Sequence, residues 1–307
     1  DPAAPPKALV ADISRLIVSP AYLGVRYEAS ITGTADDVYR SGVANCLGFS
    51  HLFIALARSA GLDAHYQQIE IKPHWQKQGE WLLVGMHVNV TGAVNSRRYY
   101  TADIDTTTRY HTLRKYRISD QTALAQHYNN LAMDALVTDD LASAYGYMAR
   151  AIKTDPSQPY LWTNLGTLYK KNGQLEEAMA SYEHALQLDQ AYFAAMEHLA
   201  KLYALRGDKE RAEEYQRRVQ LYRTTNPYYH AQLAQQAADE GNWLAASRAI
   251  KKAIALKDDE FEFYIAAYQY SMRAGNQRAA RVFFSKASGL AEGKQRNSLA
   301  LLKTEAR

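Results

Sequence analysis

Cys46, His87 and Asp103 are the residues whose types and order could do covalent chemistry in this 307-residue chain. Cys46 is the single cysteine, in the stretch VANCLGFSHLF. It follows Asn45 and opens a run whose apolar residues, Leu47, Phe49, Leu52, Phe53 and Leu56, read as a buried helix. Orphan N–H groups and the positive dipole end of a helix N-terminus stabilise an anionic sulfur. His87 falls on a predicted strand and Asp103 on the next. Neighbouring strands of a hairpin let imidazole and carboxylate meet across the ladder. The chain order then supplies nucleophile, base and orienter. A lone cysteine in an apolar helix is otherwise a small buried hydrophobe. The two later residues are what give it a chemical role.

Several elements must position these groups. Residues 8–18, ALVADISRLIV, have helical spacing. TADDVYRSG at 34–42 opens on a threonine that can cap, with acids in its first turn. The Cys46 helix stops near SAGLDA, where Gly61 fits a position just past a helix end. The period then changes to two. HYQQIEI (65–71), EWLLVGMHVNV (80–90) and RRYYTADID (97–105) read as strands, with a turn expected at TGAVNS. Helix followed by antiparallel strands predicts an α+β class. His51, one turn plus a step beyond Cys46, lies off the cysteine face and reads as structural. Trp75 and Trp81 flank QKQGE, a hairpin tip, and fit either a substrate wall or a packed core.

SGVANCLGFSHLFIALARSAGLDA, GMHVNV and RRYYTADID, in that order, resemble the transglutaminase-like superfamily of papain-like cysteine enzymes over roughly residues 34–106. The resemblance implies Cys46 as nucleophile, His87 as general base and acid, and Asp103 as orienter. Asp105, two residues on and on the same strand face, is the rival for that last role. Tyr99 fills the aromatic place where the family more often has tryptophan, and this favours Asp103. The implied chemistry is attack on an amide or acyl carbonyl, with the oxyanion on the Cys46 N–H and a second donor. Asn45 and Tyr39 are candidates for that donor. Water or an amine would resolve the acyl-enzyme, and the same three residues serve either outcome. No cofactor and no metal are implied.

The second half repeats itself. Starts at 125, 159, 193, 227 and 261 give a period of 34 residues over 125–294. Position 20 is Ala144, Ala178, Ala212, Ala246 and Ala280, and position 15 is Asp139, Gly173, Gly207, Gly241 and Gly275. Small residues on a fixed schedule let paired helices approach, and the glycine or aspartate supplies the turn. YLWTNLGTLYKKNGQLEEAMASYEHALQLD, 160–189, resembles the tetratricopeptide (TPR) consensus, with Trp162, Leu165, Gly166, Tyr169, Ala178, Tyr182 and Ala185 at its signature positions. Such a repeat implies an all-α solenoid with a concave, protein-binding face. Family geometry places Asn129, Tyr160, Lys170, Lys171, Lys201, Tyr228 and Gln235 there, suited to an acidic or mixed peptide. Tyr268 replaces the small residue in the last copy, which is expected to pack atypically. His184, His198 and His230 read as surface residues.

The expected organisation is therefore an α+β transglutaminase-like domain at 1–124, five repeats at 125–294, and a capping helix or tail at 295–307. A net charge of +4 without a basic run sets nucleic-acid binding aside. No apolar stretch approaches the roughly 18 residues that span a membrane. The opening DPAAPPKA has the composition of a linker, such as would follow a removed signal peptide or lipid-anchor segment. A trimmed cytoplasmic chain would look the same, but the domain pairing resembles bacterial periplasmic or outer-membrane lipoproteins. Two functions are expected from different classes. One is a cysteine-dependent amide hydrolase or acyltransferase whose repeats recruit a protein or peptide substrate. The other is an interaction scaffold with an inert transglutaminase-like domain.

Overall fold

The computed structural model describes residues 5–71, 76–78, 81–83, 87–95, 98–104 and 112–291. The N-terminal region opens with α1 (Pro6–Val18), β1 (Arg26–Tyr27), α2 (Ala35–Ser41), β2 (Val43–Ala44) and α3 (Cys46–Ser59). Then come β3 (His65–Ile71), β4 (Gln76–Gln78), β5 (Trp81–Leu83), β6 (His87–Asn95), β7 (Arg98–Ala102) and β8 (Thr112–Arg117). Four strands form one antiparallel sheet in the order β7-β6-β3-β8, and β4 and β5 pair as a hairpin. The α+β expectation holds. α3 lays Leu47, Phe49, Leu52 and Phe53 into a core shared with Val88, Val90 and Tyr100 of the sheet. Burying each such side chain fully contributes roughly 1.5–3 kcal/mol.

Two sequence expectations need correcting. TGAVNS is not a turn, because β6 runs through it to Asn95 and pairs with β7, Gly92 opposite Tyr100. Gly92 belongs in a strand because another backbone crosses it: a Cβ there would lie 1.7 Å from the Asp63 carbonyl oxygen. The second correction is β8, which the sequence reading passed over as a connection. Lys115 and Arg117 share it with Leu113 and Tyr116, and that mixed pattern hides an edge strand hydrogen-bonded to β3.

The repeat helices follow as α4 (Asp120–Val137), α5 (Leu141–Thr154), α6 (Pro159–Lys171), α7 (Leu175–Leu188), α8 (Phe193–Leu205), α9 (Lys209–Thr225), α10 (Pro227–Asp239), α11 (Trp243–Leu256), α12 (Phe261–Arg273) and α13 (Gln277–Leu290). Second helices start at 141, 175, 209, 243 and 277, on the expected period. Each pair turns at a left-handed residue: Asp139 (φ 66), Gly173, Gly207, Gly241 and Gly275 (φ 76 to 79). Ala144, Ala178, Ala246 and Ala280 are fully buried. In the second copy a Cβ on Gly166 would come within 2.6 Å of the Tyr182 ring. In the last copy Tyr268 stands at that place and meets Phe284 edge-on, ring centres 5.3 Å apart. The described residues form two compact units, one up to Gln216 and one from Arg217 onward. No helix among them is long and apolar enough to cross a membrane. The tail at 295–307 lies outside the described residues.

Gly92 and Gly61 separate crowding from backbone strain. Gly61 has φ 78 and nothing within 4 Å of an added Cβ. Gly61→Ala should cost about 1 kcal/mol, the left-handed penalty alone. Gly92→Ala should cost about 3 kcal/mol, because a strand must move. Urea unfolding of the two variants measures the difference.

Candidate active site

Cys46 is the first residue of α3 and is half-buried. Asn45 caps the helix: its Oδ1 accepts from the Gly48 N–H at 2.8 Å, worth about 1 kcal/mol. Ser50 secures the same turn, donating to the Cys46 carbonyl at 2.8 Å, and its hydroxyl also lies 3.4 Å from the Val88 carbonyl on β6. The first turn of α3 is thereby tied to the strand that carries His87. The Cys46 N–H, at the start of the helix, has no intrahelical acceptor.

His87 is only 2% exposed. Its Nε2 donates to Asp103 Oδ2 at 2.7 Å. The ring also shares a side-chain hydrogen bond with Cys46, and with Nε2 committed to Asp103, Nδ1 is the nitrogen that remains for the sulfur. Burial alone would push the imidazole pKa down. The hydrogen bonds to Asp103 and Cys46 more than offset it, so His87 is held up at about 9. Both hydrogen bonds favour the protonated ring. The structure therefore brings together all three residues picked from the sequence. Asp105 lies outside the described residues.

The two residues considered as oxyanion donors have other surroundings. Asn45 donates its Nδ2 to Thr32 Oγ1 at 3.2 Å and its backbone N–H to the Ile31 carbonyl, so it serves as a cap. Tyr39 projects from α2 with its side chain exposed. The sequence reading missed Asn89, which donates Nδ2 to the same Asp103 oxygen at 3.1 Å. Its signal was present: Asn89 is two residues from His87 on one strand and so shares its face. Gln68 was missed too, and its Nε2 donates to the His87 carbonyl at 3.1 Å. Trp75 lies outside the described residues, and Trp81 pairs with Gln78 in the expected hairpin.

His51 is structural, as expected. Its Nδ1 lies 2.7 Å from the Tyr66 hydroxyl and its ring packs against His127. Burial holds its pKa down at about 4.

Of the seven candidate groove residues, Lys170, Lys171 and Lys201 are exposed. Lys171 and the other four each make contacts within the array. Asn129 is buried and accepts from Asn164 at 2.7 Å. Tyr160 packs beside the core of the first repeats, where burial pushes its phenol up. Lys171 pairs with Asp139 at 2.7 Å and donates to the Leu136 carbonyl. Tyr228 donates to Glu260, and Gln235 bridges Tyr270 and Asp239. Two histidines taken for surface residues are packed instead. His198 stacks on Tyr182 at 4.8 Å, and burial holds its pKa near 4; His184 lies 4.0 Å from the Trp162 ring centre.

His87 and His51 give opposite pH signatures. With His87 raised to about 9, the folded chain binds the extra proton between pH 6.5 and 9. That contribution is complete below 6.5 and is lost as pH rises toward 9. With His51 lowered to about 4, the unfolded chain binds the extra proton. Its contribution is complete above 6.5 and is lost as pH falls toward 4. Each slope is at most one proton, about 1.4 kcal/mol per pH unit. His87→Gln should flatten the alkaline limb of a urea-unfolding pH series, and His51→Gln the acid limb.

A family model described as the transglutaminase-like superfamily matches residues 10–104, and one for the tetratricopeptide repeat matches 159–192. The curated relatives include a probable UDP-N-acetylglucosamine–peptide N-acetylglucosaminyltransferase SPINDLY from Solanum lycopersicum and one from Petunia hybrida. Each is 46% identical over 57 residues, 19% of this chain and 6% of theirs. The chain thus spans a small fraction of their length. Among solved structures, MamA from Desulfovibrio magneticus RS-1 is 16% identical, with a TM-score of 0.32, covering 56% of this chain and 96% of that one. A tetratricopeptide repeat protein from Parabacteroides merdae is 20% identical, with a TM-score of 0.31, covering 59% and 73%. The stretch that holds Cys46, His87 and Asp103 is a transglutaminase-like superfamily domain, and it is followed by a tetratricopeptide repeat region.

Proposed function

We propose that Cys46, His87 and Asp103 form a cysteine-dependent acyl-transfer site acting on a protein or peptide amide. The observation that carries this reading is a nearly fully buried His87 shared between the Asp103 carboxylate and the Cys46 side chain. Such an imidazole has a proton to give and fixed neighbours on both sides. The Cys46 sulfur attacks the carbonyl carbon and the C–N bond breaks. His87 gives its proton to the departing amine. Water or a second amine then attacks the thioester, losing a proton to His87, and the sulfur is released. Asp103 holds the ring in orientation throughout and accepts from it without taking its proton. The N–H of Cys46, pointing out of the first turn of α3, is placed to receive the developing oxyanion.

The repeats supply protein–protein interaction, and in this reading they recruit the substrate or a partner complex. Exposed Lys170 and Lys201 favour an acidic segment. An envelope location belongs to the same proposal and rests on the pairing of the two domains. A scaffold with an inert N-terminal domain is the second reading, supported by the number of repeat helices.

Iodoacetamide near neutral pH tests the first. Cys46 should alkylate in the native chain, and His87→Ala should slow it by roughly 100-fold, the low end of a general acid–base contribution. Asp103→Asn should slow it less, since the ring stays in place but loses its anionic partner. A Cys46 that reacts only after urea denaturation would sink the enzymatic reading. Full biological complementation by Cys46→Ala would favour the scaffold.

A further inference from the structure

The first repeat helix reaches the candidate site through buried polar contacts. Gln126 on α4 donates its Nε2 to Gln68 Oε1 at 2.7 Å, and Gln68 donates its own Nε2 to the His87 carbonyl at 3.1 Å. Both side chains are buried, 5% and 2% exposed. The relay has a fixed direction. Gln68 can offer its N–H to His87 only while its oxygen faces a donor, and Gln126 is that donor. A second contact runs from the same helix to the other half of the pair. Asp134 shares a hydrogen bond with Thr32, whose hydroxyl accepts from the Asn45 side chain that caps the Cys46 helix. Arg58 of α3 clamps Asp120, the first residue of α4, through its two terminal guanidinium nitrogens, at 2.5 and 2.9 Å.

We propose that Gln126, from the repeat region, is a positioning residue for His87, acting through Gln68. Being buried, the relay leaves no water to replace a missing partner. With the Gln126 donor gone, the Gln68 amide can rotate, and the backbone of β6 at His87 loses its fixed reference. The register that aims the imidazole between Cys46 and Asp103 then loosens. The proposal rests on the reading of Cys46 and His87 as a reactive pair, but the contact with His87 stands on its own geometry.

The test is a double-mutant cycle on the full chain with Gln126→Met and Gln68→Met, which keep side-chain length and remove the polar atoms. Two quantities are read: the His87 titration midpoint by 15N-histidine NMR, and the rate of Cys46 alkylation. Urea midpoints confirm folding, and Gln126→Leu serves if Gln126→Met fails to fold. Either single substitution should lower the His87 midpoint by about one unit and slow alkylation roughly tenfold. The double variant should match Gln68→Met, because the two residues act as one relay. A Gln126→Met chain that folds and keeps the native midpoint and rate overturns the proposal, as do strictly additive effects. If the midpoint moves while native Cys46 proves inert, the positioning contact stands and the acyl-transfer reading falls.

Discussion

The carboxylate oxygen that His87 and Asn89 share on Asp103 is the contact on which the site depends. It exists because β6 and β7 pair with Val90 opposite Ala102, which carries Asp103 past the end of β7 to the level of Asn89. A one-residue slip would turn His87 and Asn89 to the other face of the sheet together. The neighbouring Gly92 resists such a slip, since no side chain fits where the Asp63 carbonyl crosses. Asp63 adds to the lock by accepting from the Ala93 N–H at 2.7 Å, and its carbonyl receives the Tyr100 hydroxyl. The strand pairing that places the acid is thus fixed a few residues away by contacts with no chemical role of their own.

The same sheet faces a second constraint from α4. Polar groups accumulate where that helix packs on α3 and β3: Gln68, Gln126, His51 and His127 are all poorly exposed. Burying them is unfavourable unless each finds a partner, and the pairings found are directional. An apolar interface of the same size would hold α4 more cheaply but would allow it to slide. Hydrogen bonds from Gln126 to Gln68 and from Arg58 to Asp120 set one register between helix and sheet. Among the described residues, the buried polar atoms without a protein partner include His127 Nδ1 on α4 and Asn89 Oδ1 beside His87 on β6, so the polar packing here is not saturated. That is the arrangement expected where geometry, more than stability, has shaped the interior.

How much of this was legible depends on whether the signal is local. The repeat period was readable because each copy restates the same steric demand: a small residue where helices touch, and a left-handed residue where they turn. Asp139 shows the rule through its exception, reaching φ 66 without being glycine while its carboxylate pairs with Lys171. Cys46, His87 and Asp103 were readable because a cysteine at a helix start and an alternating strand are also local patterns. Edge strand β8 was not, since lysine and arginine break its alternation, and only its pairing with β3 makes it a strand. The start of α4 was likewise obscured. The repeat pattern begins at 125, but the helix begins at Asp120, capped by Ser119, because Asp120 answers an arginine 62 residues earlier.

The buried glutamines were illegible for a related reason. Gln68 lies on a strand of mixed polarity and Gln126 on a helix read as part of a repeat, so each looks solvated within its own window. Their burial arises only when α4 covers the sheet. A polar residue that two elements bury jointly carries no mark in either sequence. The separation of the chain at 124 into chemistry and repeats divides residues that the fold uses together: the repeat pattern describes how α4 packs against α5, and the relay to His87 describes what the opposite side of α4 does.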